Sequence, residues 1–140
     1  MYKNILVAYD SSDGSKMALE RGIELSHHSQ ALITALWVKA PLPQYAETVS
    51  EIEEERNAAD EYFQQLQTET ARFSSSGDVQ IRMAMKTGNS AKCILSFAEE
   101  IHCDLIVIGH KGHSGMWGRF LGHTADRVSE NAHCSVLIVR

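Results

Sequence analysis

The chain lacks the features that mark membrane, extracellular and nucleic-acid-coating proteins. Its longest apolar runs, Ile5 to Tyr9 and Leu105 to Ile108, fall far short of the ~20 residues that a membrane-spanning helix needs. The amino-terminal stretch offers Lys3 and a short apolar run that stops at Asp10, which does not read as a signal peptide. Cysteine is scarce. Cys93, Cys103 and Cys134 are an odd number without a C-x-x-C pair, as expected of reduced thiols in the cytoplasm. Each reads on its own as a small buried hydrophobe. The 13 Lys and Arg are outnumbered by 18 Asp and Glu, a net charge of −5, so neither nucleic acid nor a membrane is an expected partner. Neither G-x-x-x-x-G-K-[ST] nor G-x-G-x-x-G occurs, which excludes a Walker A loop and the usual dinucleotide fingerprint.

What is present describes one globular domain over residues 1–140, 44% hydrophobic and 22% charged. Asn4-Ile5-Leu6-Val7-Ala8-Tyr9 is nearly all apolar and is followed at once by the polar turn Asp10 to Ser15. That pattern suits a strand covered on both faces. Ser12 or Asp13 is placed to cap the helix that Ala18, Leu19, Gly22, Ile23 and Leu25 imply. Residues 31–38 read as a second strand, stopped by Pro41 and Pro43. Over residues 45–73 apolar positions recur at helical spacing and glutamates crowd the start, which predicts one long amphipathic helix. Residues 79–85 alternate as a third strand would, nearer an edge. A third helix from about Ala91, a buried strand over 104–108, a helix over 124–131 and a last strand, Val136-Leu137-Ile138-Val139, complete the chain. Strands alternating with helices predict a doubly wound α/β domain with a parallel sheet.

Ligands of such sheets sit beyond the carboxyl ends of the strands. Two segments qualify, the turn after the first strand and the loop after the fourth. The loop holds Gly109, Gly112, Gly115, Gly118 and Gly122, and between Gly109 and Ala125 it has two bases, Lys111 and Arg119, and no acid. In an acidic protein this reads as a phosphate cradle. Gly109 and Gly112 would admit positive φ, and Gly122 precedes a helix whose free N–H groups and positive dipole end favour an anion. Thr124 would cap that helix or give its hydroxyl to a phosphate, and Lys111 and Arg119 would offset charge. His110-Lys111-Gly112-His113 spells the H-x-G-H of nucleotidylyltransferases, but there it follows the first strand and here the fourth. His110, His113 and His123 lack interleaved Cys or carboxylates, so no metal is expected.

The spacing of Gly109, Gly112 and Gly122 resembles the G-x2-G-x9-G signature of the universal stress protein family. The start (Ile5 to Ser15 with Ala18-Leu19) and the close His133-Cys134-Ser135-Val136-Leu137-Ile138-Val139 are similar to that family's ends, with Ser135 where proline is common. The resemblance implies a five-stranded parallel sheet in the order 3-2-1-4-5 with helices on both faces, the adenine nucleotide alpha hydrolase-like fold. It also implies bound ATP, with Mg²⁺ an open question. Carried over, Asp10 would bond the ribose, with Ala8 and Tyr9 beside it, and the backbone at Val38 would meet the adenine. Gly109, His110, Lys111, Gly112, Gly122, His123, Thr124 and Ala125 would line the phosphates. His123 stands where the family has a small hydroxyl. Members often pair their last strands, which implies a homodimer through Val136 to Val139.

Three functions follow: a nucleotide-binding stress-response regulator; a slow ATPase or nucleotidyl-transfer enzyme using Asp13 or Asp126; or a nucleotide-free interaction protein using the acidic helix and the last strand.

Overall fold

The computed structural model describes residues 1–42, 48–74, 79–110 and 122–140. The elements run β1 (Asn4–Ala8), α1 (Asp13–Ser29), β2 (Leu32–Lys39), α2 (Val49–Phe73), β3 (Ile81–Thr87), α3 (Ser90–Glu100), β4 (Leu105–Gly109), α4 (His123–Asn131) and β5 (Ser135–Val139). All strand pairs are parallel, in the order β3-β2-β1-β4-β5. The predicted topology is the observed one.

Strand alternation assigns each side chain to a layer. Ile5 and Val7 of β1 and Leu105 and Val107 of β4 pack on one side with Ala18 and Leu19 of α1 and Leu66 of α2. Leu6, Ile106 and Ile108 pack on the other with Ala91, Ile94, Phe97 and Ala98 of α3 and Ala125 and Val128 of α4. Residues 5–8 of β1 and 105–108 of β4 are therefore apolar throughout, because both faces are covered.

Expectations for β3 and α2 shift. The third strand is Ile81–Thr87, two residues later than the alternation suggests, because its length is set by pairing from Ile33↔Ile81 to Lys39↔Thr87. The long helix is observed from Val49, with Thr48 as N-cap accepting from the Glu51 N–H at 3.1 Å; the expected start over 45–47 lies outside the described residues. Val49 is 72% exposed, so the buried stripe of α2 begins only at Ala59. Thr70, a gap in the apolar pattern, is buried and donates its hydroxyl to the Leu66 carbonyl at 2.9 Å, which removes the cost of an unpaired polar group.

The amino ends of β1 and β4 are tied together. The Asp104 carboxylate accepts from the Lys3 and Asn4 N–H groups at 2.8 and 3.0 Å. Ile106 has no exposed surface, so Ile106→Ala is expected to cost about 2–5 kcal/mol and Ile106→Val about 0.5–1.5, measured by denaturant unfolding.

Candidate functional site

β1 lies between β2 and β4, and the chain winds one way from β1 to β3 and the other way to β5. The switch point is at the carboxyl ends of β1 and β4. A cleft of about 380 Å³ opens there, lined by residues from both segments singled out in the sequence, a volume within the usual range for small-molecule sites. The structure brings ten of the thirteen expected residues to it: Ala8, Tyr9, Asp10, Val38, Gly109, His110, Gly122, His123, Thr124 and Ala125. The other three, Lys111, Gly112 and Arg119, lie outside the described residues. The lining also includes Ser12 and Ser15, from the turn singled out by position but without a site role of their own, and Trp37 and Ser90, which sequence reasoning missed. The serines lie in helix-opening turns and Trp37 near the end of β2, so position in the topology was the available signal.

The turn after β1 is held from several sides. Ser12 caps α1, accepting from the Ser15 N–H at 3.2 Å. The Asp10 carboxylate accepts from the Ser12 N–H at 3.0 Å, and the Asp10 N–H donates to the Ser15 hydroxyl at 3.3 Å. Ser11 takes a left-handed φ of 71°, which a small polar residue tolerates. α2 braces the turn from outside: the Tyr62 hydroxyl donates to the Asp10 carbonyl at 2.7 Å, and Glu69 accepts from Tyr9 at 2.9 Å and Ser11 at 3.1 Å. The ring of Tyr9 is 1% exposed and packs in the layer that includes Leu66 of α2.

Gly109 has a different role from the one expected. Among the described glycines only Gly88 has a positive φ, so Gly109 does not serve a left-handed turn. It serves a close approach instead: a Cβ there would lie 2.8 Å from the Gly14 carbonyl carbon and oxygen. The missing side chain lets the first turn of α1 sit against the end of β4.

The opening of α4 differs from its sequence reading too. The helix starts at His123 with Gly122 as N-cap, so Thr124 is inside the first turn and not its cap. Ser12, Thr48 and Asn89 each cap their helices with a side-chain oxygen, whereas α4 has no side-chain cap bond. Gly122 sits at φ −61°, which any residue adopts, and among the described residues a Cβ there would meet only the His110 carbonyl oxygen, at 3.4 Å. Neither backbone conformation nor packing among the described residues demands glycine at this position. The neck of the loop is pinned by the His110 N–H donating to Val139 at 2.7 Å and the Gly122 N–H donating to His110 at 3.2 Å. His110 is 5% exposed, and its Nε2 has no hydrogen-bond partner among the described residues.

The sequence model of the universal stress protein family matches residues 1–140. The chain belongs to the universal stress protein family. It is 31% identical to the universal stress protein MJ0531 of Methanocaldococcus jannaschii, covering all of this chain and 83% of that one. It is 30% identical to the universal stress protein YxiE of Bacillus subtilis over the full length of both. Among solved structures, the universal stress protein UspA from Lactobacillus plantarum superimposes with a TM-score of 0.89 at 25% identity, over 99% of this chain and 98% of that one. A universal stress protein solved in complex with cAMP gives 0.73 at 23%, over 99% and 97%. A family member from Arabidopsis thaliana with AMP bound gives 0.66 at 18%, over 98% and 90%. The last two show the shared fold. Among the described residues of this universal stress protein, no three His, Cys, Asp or Glu side chains converge as a metal site, and no helix is long and apolar enough to cross a membrane.

The brace between α2 and the β1 turn has a pH signature. Burial first, then the Glu69 carboxylate, pushes the Tyr9 hydroxyl far above its ordinary 10.0. At Glu69 burial opposes ionisation, but bonds from Ser11, Tyr9 and Gln65 together with the charge of Lys16 outweigh it and lower the carboxyl below 4.5. A raised tyrosine contributes stability that is complete below about pH 10 and is lost as pH rises further. In this universal stress protein, Tyr9→Phe is therefore expected to flatten the fall in unfolding free energy above pH 10, measured by urea titration at successive pH values. A fall as steep as in wild type would remove Tyr9 as its source.

Proposed function

We propose that the cleft binds an adenine nucleotide, ATP foremost, and that the protein is a dimeric stress-response regulator whose partner contacts depend on that nucleotide. The observation that carries this reading is the uncapped opening of α4, the one described helix without a side-chain cap, at a cleft that also contains Asp10 and Val38. N–H groups left without a side-chain partner at a helix start are suited to a phosphate. Gly122, whose missing side chain no packing among the described residues requires, leaves room for the anion. Family neighbours solved with AMP and cAMP support the adenine class.

In this reading the Asp10 carboxylate, fixed by the Ser12 N–H, accepts from the ribose hydroxyls. Ala8, Tyr9 and the backbone at Val38 flank the sugar and base. Gly109, His110, Gly122, His123, Thr124 and Ala125 surround the phosphates, and Lys111, Gly112 and Arg119 supply charge and space for the outer ones. The His123 N–H replaces the small hydroxyl common in the family. Mg²⁺, where required, would enter with the triphosphate. Asp13 and Asp126, the acids a hydrolytic role would use, are both exposed and neither lines the cleft, which favours binding over turnover. β5 is a sheet edge carrying Val136, Leu137 and Ile138, and pairing with a second copy would cover it.

Calorimetric titration with ATP, AMP and cAMP tests the site. Wild type is expected to bind ATP below millimolar concentration, and Gly122→Val to weaken it by about 100-fold, since two methyl groups block approach to the α4 amides. No binding at millimolar ATP, or equal binding by the variant, would refute the assignment. Light scattering is expected to give twice 15.6 kDa, and a mass of one chain would refute the dimer.

A further inference from the structure

The amino ends of β4 and β5, opposite the cleft, bring together two cysteines far apart in sequence. The sulfur atoms of Cys103 and Cys134 are 3.8 Å apart, within S–H···S contact. Cys103 is held where it is by the end of α3. The His102 N–H donates to the Glu99 carbonyl at 3.1 Å and the Cys103 N–H to the Ala98 carbonyl at 2.9 Å, with His102 at a left-handed φ of 54°. This paired closure is a Schellman motif, and Cys103 is its outermost residue. Cys134 enters β5 directly, and the β4–β5 register begins one residue later at Leu105↔Ser135. Extended by one residue, that register sets Cys134 opposite Asp104, so Cys103 is its diagonal neighbour; strand spacing and rise per residue put the two Cα atoms about 6 Å apart, inside the range of roughly 4.4–6.8 Å that a disulfide spans.

We propose that Cys103 and Cys134 form a reversible intrachain disulfide under peroxide, a modification site that joins β4 to β5 independently of the nucleotide cleft. Both residues lie in or against the α3–α4 core layer. Cys103 is 3% exposed and Cys134 is half-buried, so peroxide meets Cys134 first. Its thiolate attacks one oxygen of hydrogen peroxide, the O–O bond breaks, and hydroxide leaves and takes up a proton as water. The Cys103 sulfur then attacks the Cys134 sulfenic acid. The S–S bond forms, the S–O bond breaks, and a second water departs with the Cys103 proton. Two thiols lose two electrons and one peroxide gains them; a dithiol reductant reverses the change. Burial holds the Cys103 thiol up at about 12 and also raises Cys134. The pair is therefore mostly protonated at neutral pH and responds to sustained peroxide over minutes, unlike a low-pKa peroxidatic cysteine.

Full-length protein treated with millimolar peroxide, unfolded and labelled with N-ethylmaleimide is expected to take up one label, on Cys93. Before labelling its mass should be 2 Da lower, with a Cys103–Cys134 cross-linked peptide that dithiothreitol removes. Cys93→Ser should leave the cross-link unchanged and Cys134→Ser should abolish it. The peptide map of wild type decides the matter even where a variant folds poorly. The oxidised form should melt roughly 10 °C higher, since the bond closes the long segment between the two strands. Three labels after peroxide, sulfinic acid on Cys134 with Cys103 still free, a bond through Cys93 or between chains, or an unchanged melting temperature would overturn the proposal.

Discussion

β1 and β4 must be covered on both faces, and the rest of the architecture follows from that. Ile5, Leu6 and Val7 have no exposed surface, nor have Ile106 and Val107. Two helical layers are required at once, and right-handed crossovers supply them by sending the chain outward in both directions from β1. The reversal leaves a gap at the carboxyl ends of β1 and β4, where the described residues line a cleft. The cleft is thus a by-product of burying the centre of the sheet. Gly109 refines it: only without a Cβ does α1 reach the end of β4, which carries Asp10, Ser12 and Ser15 into the wall.

Much of this was legible in the sequence. Unbroken apolar runs at β1 and β4 announced two-sided burial, and the glycine spacing pointed to the loop after β4. What escaped was set by register and tertiary contact. The end of β3 depends on how far β2 extends to pair with it. The reason for Gly109 lies at Gly14, remote in the chain. Thr48-Val49-Ser50-Glu51 is a capping pattern that was present but unused. Nothing local announces that Glu69 and Tyr62 reach back to the turn after β1, or that Cys103 and Cys134 become neighbours, because those pairings exist only once the layers have assembled.

The site combines opposite treatments of backbone polarity. On the β1 side Tyr62, Glu69, Ser12 and Ser15 all hydrogen-bond to the turn. On the α4 side, Gly122 offers no side chain to its helix. A braced wall thus faces a helix terminus whose first main-chain amides have no side-chain cap, and no rotamer change can disturb the geometry of those amides.

Trp37 gives the cleft an optical property. Its ring lies edge-on to Tyr62 with centroids 4.8 Å apart, and the residue is part of the lining. At that separation excitation of the phenol passes to the indole, so light emitted from this corner is tryptophan light, with a colour that depends on how wet the wall is. The fold thereby carries an intrinsic fluorophore beside the space a guest would fill.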